Sequence, residues 1–184
     1  NTTATGTFTG IAGSNITVGN GGIINWSSTN TLAPPPAALT ASGTNATVNY
    51  TAAGVQSIQS VTYYNLGISG SGVKSLFAGP NVANNLAVTG GTLRMNNNNL
   101  TTNNLTLGSN GILDNNPGVP ATCALLVTGA TALNASSQIS NMNGPVNAEF
   151  QGNIVQGSSG AMIFATGSTT VFRLNNVDIH GAGG

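Results

Sequence analysis

The sequence predicts an all-β fold, a parallel β-helix (β-solenoid) with coils of about 20 residues and essentially no α-helix. Three observations predict it: a short motif recurs at nearly equal intervals, aliphatic residues alternate with a period of two inside each motif, and breaks rich in glycine and asparagine separate short apolar segments. Glutamate and lysine, which favour helices, occur once each.

The recurring motif is an asparagine, an aliphatic residue, a variable residue and a second aliphatic residue. Its copies are Asn65-Leu66-Gly67-Ile68, Asn85-Leu86-Ala87-Val88, Asn104-Leu105-Thr106-Leu107 and, without the asparagine, Ala124-Leu125-Leu126-Val127. The first aliphatic positions, 66, 86, 105 and 125, are almost evenly spaced. In stacked coils, equivalent residues form columns about 4.8 Å apart. We therefore expect an inward-facing amide ladder and two aliphatic columns: Asn65, Asn85 and Asn104; Leu66, Leu86, Leu105 and Leu125; Ile68, Val88, Leu107 and Val127.

The spacing also suggests how the chain is organised. We expect one solenoid over residues 1–184, with less regular coils in 1–45, regular coils in 46–141 and longer, irregular coils in 142–184. A loop is expected at residues 29–41, because three successive prolines remove backbone donors. Residues 96–99, all asparagine, do not fit a strand. Asn20 with Gly21, Asn110 with Gly111 and Asn143 with Gly144 suit corners with positive φ. About nine coils would give a rod of roughly 40–45 Å.

Charge is almost missing from the chain. Charged residues make up 3% of the sequence and sum to zero. They are Lys74, Arg94, Asp114, Glu149, Arg173 and Asp178. Such a chain has no electrostatic field with which to capture nucleic acid or an anionic membrane. No apolar run reaches the roughly 20 residues that a membrane helix needs. We therefore expect neither a nucleic-acid partner nor membrane insertion, and a neutral surface permits self-association.

The residues available for chemistry do not form a recognisable constellation, so we predict no catalytic, cofactor-binding or metal-binding residue and no enzyme. Glycoside hydrolysis generally needs two carboxylates within about 5–10 Å, and the three carboxylates are widely spaced. His180, the only histidine, is interpreted as an edge residue near the terminus, although Asp178 shares its strand face. Cys123 cannot form an intrachain disulfide and is interpreted as a buried, inert thiol. Tyr63 and Tyr64 are interpreted as strand-packing residues rather than a sugar platform.

Residues 46–114 carry a family resemblance. The segments concerned are Thr47-Val48-Asn49-Tyr50, residues 61–72 and residues 85–93. They resemble the low-charge repeat regions of large secreted surface proteins of Bacteroidota. The resemblance implies a parallel β-helix in a cell-surface, adhesin-like or secreted protein, and therefore an extracellular location. It implies no catalytic residue, because the matched repeats contain none.

Together these features favour an extracellular structural protein: a subunit or segment of a surface fibre, filament or adhesin stalk. Its partners would be copies of itself, joined head to tail through open solenoid ends. The alternative is a neutral-surface binding module for ice or neutral glycans. Ice binding would need a regular threonine array, and Thr62, Thr89, Thr106 and Thr128 do not keep one place in the repeat. A functional amyloid of the curli kind is less favoured, because aliphatic columns indicate a dry core.

Overall fold

The computed structural model describes residues 15–27, 29, 38–115, 121–142, 145–157, 161–162, 171–175 and 179–181. In those ranges the regular secondary structure is entirely β, as predicted. The strands are β1 (Asn15–Thr17), β2 (Ile23–Trp26), β3 (Ala38–Thr40), β4 (Thr47–Tyr50), β5 (Gln56–Ile58), β6 (Thr62–Ile68), β7 (Val73–Leu76), β8 (Asn81–Val88), β9 (Thr92–Arg94), β10 (Leu100–Leu107), β11 (Ile112–Asn115), β12 (Cys123–Val127), β13 (Thr131–Leu133), β14 (Gln138–Met142), β15 (Val146–Phe150), β16 (Ile154–Gln156), β17 (Ala161–Met162), β18 (Val171–Leu174) and β19 (Ile179–Gly181).

These strands pair in parallel and stack as a three-faced β-solenoid, which confirms the predicted fold class. Face 1 contains β1, β3, the first parts of β6, β8 and β10, and then β12, β15 and β18. Face 2 contains β2, β4, the second parts of β6, β8 and β10, and then β13, β16 and β19. Face 3 contains β5, β7, β9, β11, β14 and β17. The described residues therefore make about six complete turns, with eight strand layers on each of faces 1 and 2.

The coils differ in length. In the centre, bonded side chains in adjacent coils are 18 to 20 residues apart, as between Asn65 and Thr47 or Asn85 and Asn65. From β10 to β13 the separation reaches 26 residues, as between Asn104 and Ala130. In the short central coils, one strand passes around the corner between faces 1 and 2. A register irregularity marks this corner, for example between Thr102 and Asn104. The longer coils use two separate strands there.

The interior consists of columns of side chains contributed by successive coils. Val48, Leu66, Leu86 and Leu105 form a column on face 2, and each is at most 1% exposed. A parallel column contains Tyr50, Ile68, Val88, Leu107 and Leu133. Because parallel in-register pairing superposes equivalent positions, these side chains cover one another from coil to coil.

The predicted extension of these columns to Leu125 and Val127 is wrong. Leu125 pairs with Leu100, and Val127 pairs with Thr102, so both lie on face 1. The face-2 columns continue through Thr131 and Leu133 instead. The cause is that β10 spans two faces and has inward-facing residues on both. The next coil is longer, so its motif at 124–127 pairs with the part of β10 that lies on face 1.

The loop predicted for residues 29–41 extends too far toward the C-terminus. Within residues 29–41, Ala38–Thr40 form β3, which pairs in register with β1. The three prolines, and the Asn143–Gly144 corner, lie outside the described residues. Gly21 and Asn110 do adopt positive φ, 67° and 62° respectively. The longer coils begin before residue 142, because the lengthening starts between β10 and β13.

Candidate functional site

The first charged pair lies on the outer side of face 3. Arg94 donates to Asp114 in the next coil through Nε, at 3.0 Å from Oδ1, and through Nη2, at 2.8 Å from Oδ2. The Asp114 side chain is 4% exposed and that of Arg94 is 27% exposed. This hydrogen bonding raises the pKa of Arg94. The pair neutralises itself and joins two coils.

Lys74 lies inside the solenoid rather than on its surface. Its Nζ donates to the carbonyl oxygens of Ala52, at 2.7 Å, and Ser71, at 2.5 Å. Gln56, its neighbour in the same column, accepts from the Ala52 amide and donates to the Trp26 carbonyl. Burial lowers the pKa of Lys74. The sequence does carry a signal for this position, because Lys74 is two residues from the buried Leu76 in β7 and therefore faces the same side of the strand.

The second charged pair faces a groove on the outer side of face 1. Glu149 and Arg173 are register partners on β15 and β18. We call the depression around them the face-1 groove. It has a volume of about 290 Å³ and is lined by Ala124, Leu125, Leu126, Asn147, Ala148, Glu149, Val171 and Arg173. Gln151 Nε2 donates to Glu149 Oε1 at 2.7 Å. The groove therefore combines an apolar surface with one carboxylate, one guanidinium and side-chain amides.

The other candidate residues have structural positions. Cys123 is free and buried, as predicted, and burial raises the pKa of its thiol. Tyr63 is buried and donates to the carbonyl oxygen of Gln59 at 2.9 Å, while its hydroxyl lies 3.0 Å from that of Tyr50. Desolvation raises the pKa of both buried tyrosines. Tyr63 thus packs in the core, as interpreted, and Tyr64 is half-buried against that core.

The candidate metal ligands are scattered in the part of the chain that the structure describes. No group of three or more histidine, cysteine, aspartate or glutamate side chains lies close enough there to hold a metal ion. His180 is on β19, in register with Val155. Asp178 is outside the described residues. Asp114 and Glu149 lie on different faces.

The predicted asparagine ladder forms, but on the outside. Asn65 donates to Thr47 Oγ1 at 3.3 Å, Asn85 donates to Asn65 Oδ1 at 3.2 Å, and Asn104 donates to Asn85 Oδ1 at 3.0 Å. The Ala130 amide donates to Asn104 Oδ1 at 3.0 Å and completes the ladder. These side chains are half-exposed or exposed, not inward-facing as expected. The leucine after each asparagine points inward, so the alternation of the strand turns the asparagine outward.

The asparagine run at residues 96–99 forms a corner that bonds to the coils on both sides. Asn96 and Asn97 have φ of 53° and 62°. Asn98 Nδ2 donates to the Leu76 carbonyl in the preceding coil at 3.1 Å. On the other side, the Ala121 amide donates to Asn97 Oδ1 at 3.2 Å and the Ala124 amide to Asn99 Oδ1 at 2.9 Å. The run is therefore not a strand, as predicted.

The last described layer exposes residues of the interior columns. Leu174 is 44% exposed, whereas its register partner Phe150 is fully buried. Ile179 is 47% exposed, whereas its partner Ile154 is fully buried. In the coils below, the same two columns are covered by the following layer. This end of the described solenoid thus presents two aliphatic side chains and the outer edges of β18 and β19.

The described residues contain no helix with the length and hydropathy required to cross a membrane. No protein-family model matches the chain, and comparisons with curated proteins and with solved structures find no match.

Proposed function

We propose that this chain is an extracellular structural protein, a subunit or segment of a surface fibre, filament or adhesin stalk whose coils associate end to end. The observation that carries the proposal is the exposure of Leu174 and Ile179. Both occupy columns that are buried in the preceding layers, and no further described layer covers them.

Contact with another solenoid end would cover these residues and pair the free strand edges. Unpaired edges are templates for strand addition, and solenoids without polar caps associate through them. A contact between the two different ends of a rod is heterologous and does not close, so it builds a filament. The neutral chain offers little charge repulsion against such growth. The extracellular setting rests on the composition and on the resemblance of residues 46–114.

Electron microscopy of the 184-residue chain in negative stain tests the assembly, with sedimentation velocity as a second readout. We expect filaments with an axial repeat of about 35–40 Å, the stacking height of the strands on face 1, or a multiple of it. Changing Leu174→Lys together with Ile179→Lys places charges at the end and should abolish filaments. Phe77→Lys is the matched control, because Phe77 is 83% exposed just after β7, on the side of the rod. Dispersed rods for the unaltered chain would overturn the proposal.

A threonine column on face 1 favours a second candidate, binding to ice. Thr17 pairs with Thr40, and Thr62, Asn81 and Thr101 follow one another in register. Their outward hydroxyl and amide groups are spaced by about 4.8 Å along the rod. The test is thermal hysteresis of the freezing point, where Thr40→Lys and Thr62→Lys should remove the activity. Thr106→Lys on face 2 should retain it, and no hysteresis in the unaltered chain excludes this candidate.

A further inference from the structure

The face-1 groove concentrates the charge that the described part of this chain presents to solvent. Of the five charged residues that the structure describes, Lys74 is fully buried. Arg94 and Asp114 bind each other in a bidentate ion pair. Glu149 and Arg173 remain, and they stand side by side on adjacent strands in the same groove. In a chain with 3% charged residues, this placement singles out the groove as a candidate site.

We propose that the face-1 groove binds one or two rings of a neutral, hydroxyl-rich sugar. The carboxylate of Glu149 accepts hydrogen bonds from hydroxyl groups, and the guanidinium of Arg173 donates to hydroxyl oxygens. Two adjacent sugar hydroxyls can donate to the Glu149 carboxylate and accept from the Arg173 guanidinium at the same time. Asn147, on the neighbouring outward column, adds an amide that both donates and accepts.

The apolar lining suits the carbon face of the same ring. Leu126, Ala124 and Val171 supply aliphatic surface beside the polar groups. Small-molecule sites generally combine such a surface with a few fixed polar groups, in volumes from about 300 Å³ upward. The groove, at about 290 Å³, is at the small end of that range and matches one or two rings rather than a long oligomer.

The charges also argue against an ionic ligand. Glu149 and Arg173 sum to zero, so the groove has no net charge that favours an anion or a cation over a neutral ligand. A small zwitterion could pair with both groups, but ion pairs in open, solvated sites are weak. A sugar ring would also pack against Leu126 and Val171, and a small zwitterion such as glycine has no apolar surface for that contact.

Saturation-transfer NMR on the intact chain tests the site directly. The probes are the methyl glycosides of glucose, galactose, mannose and N-acetylglucosamine, with glucuronate and glycine as charged and zwitterionic comparisons. We expect at least one neutral glycoside to bind, and Glu149→Gln and Arg173→Gln each to weaken it about tenfold, since each removes charged hydrogen bonds. Thr106→Ala on face 2 is the control and should bind as the unaltered chain does.

Three results would overturn the sugar site: no neutral glycoside binds, binding survives both groove substitutions, or only glucuronate or glycine binds. Circular dichroism of each variant verifies that the β fold is retained. Glu149 lies on β15, one layer below the end of the described solenoid, whereas Arg173 lies on β18 in the last layer, beside Leu174. Glu149→Gln should therefore still form filaments, and this variant separates failure of the sugar site from failure of end-to-end assembly.

Discussion

Asn104 donates a hydrogen bond from Nδ2 to Oδ1 of Asn85, one coil below it, at 3.0 Å. Asn85 repeats the donation to Asn65 at 3.2 Å, so Asn85 gives one bond and receives another. The ladder points in a single direction, from the Ala130 amide down to the Thr47 hydroxyl. At this corner the ladder links five successive coils through uncharged groups only.

Removing the middle asparagine should destabilise the solenoid by more than an ordinary surface change. Asn85→Ala deletes both of its bonds at a solvent-exposed site, and we expect a loss of about 1 kcal/mol in the free energy of unfolding. Asn81→Ala is the control: this asparagine is also exposed, on face 1, and its loss should change stability by less than about 0.5 kcal/mol. Urea denaturation measures both, and equal values would refute a role for the ladder.

Gly111 should tolerate no side chain, because another coil's backbone is too close. A Cβ at this position would overlap the carbonyl oxygen of Val88. Gly111→Ala must therefore displace one coil from the next, and we expect a cost of about 1–3 kcal/mol. At Gly90 the nearest atom would be 3.5 Å away, so Gly90→Ala should change stability by less than about 1 kcal/mol. Thermal or urea unfolding of the two variants separates these effects.

Lys74 should make the stability of the folded chain depend on alkaline pH. Burial lowers its pKa from the usual 10.5, so the folded state releases this proton at a lower pH than the unfolded chain. Between the folded and unfolded pKa values the unfolded chain binds more protons, and stability therefore rises with pH. Below the folded pKa, the buried ammonium group costs stability.

The measurement is the free energy of unfolding of the unaltered chain and of Lys74→Met, followed from pH 7 to pH 10. We expect the difference between them to shift in favour of the unaltered chain as pH rises. Tyr50 and Tyr63 are common to both proteins, so their alkaline titration cancels in the comparison. Two curves that stay parallel across the range would show that Lys74 keeps an ordinary pKa.

Cys123 should react with thiol reagents only when the solenoid opens. It is 2% exposed on β12, and burial raises the pKa of its thiol, so little thiolate is present or accessible. We expect its reaction with Ellman's reagent to be at least about a hundredfold slower in buffer than in urea. Thr62→Cys adds an exposed thiol on face 1 and should react at once. Rapid reaction of the unaltered chain would place Cys123 in an open region.

The central coils could be predicted because they repeat with little variation. Leu66, Leu86 and Leu105 recur at nearly equal intervals along the chain, and the structure superposes them. Leu125 continued the numerical series but not the column, since the coil after β10 is longer and its first strand occupies face 1. Two alternating aliphatic residues fit any of the three faces, so spacing alone could not predict which face Leu125 lies on.

The charged pair of the face-1 groove was not predicted, because its two residues are far apart in sequence. Glu149 and Arg173 are separated by one coil of sequence, and so are Arg94 and Asp114. Opposite charges separated by one coil length were therefore a usable signal in the sequence. The groove itself could not be predicted, because its shape depends on which columns of face 1 point outward together.

The short spacing between paired residues, 18 to 26 residues in the examples below, has a consequence for how the chain folds. Partners in adjacent coils are separated by one coil of sequence wherever they lie along the rod, as Thr47 and Asn65 or Leu105 and Thr131 illustrate. The entropy lost in closing each loop is then almost the same for every coil, whatever the total length of the array. Once one pair of coils has formed, each later coil docks on an existing template. Folding should therefore proceed as a zipper whose slowest event is the first closure, and lengthening the array should raise stability without slowing that first event.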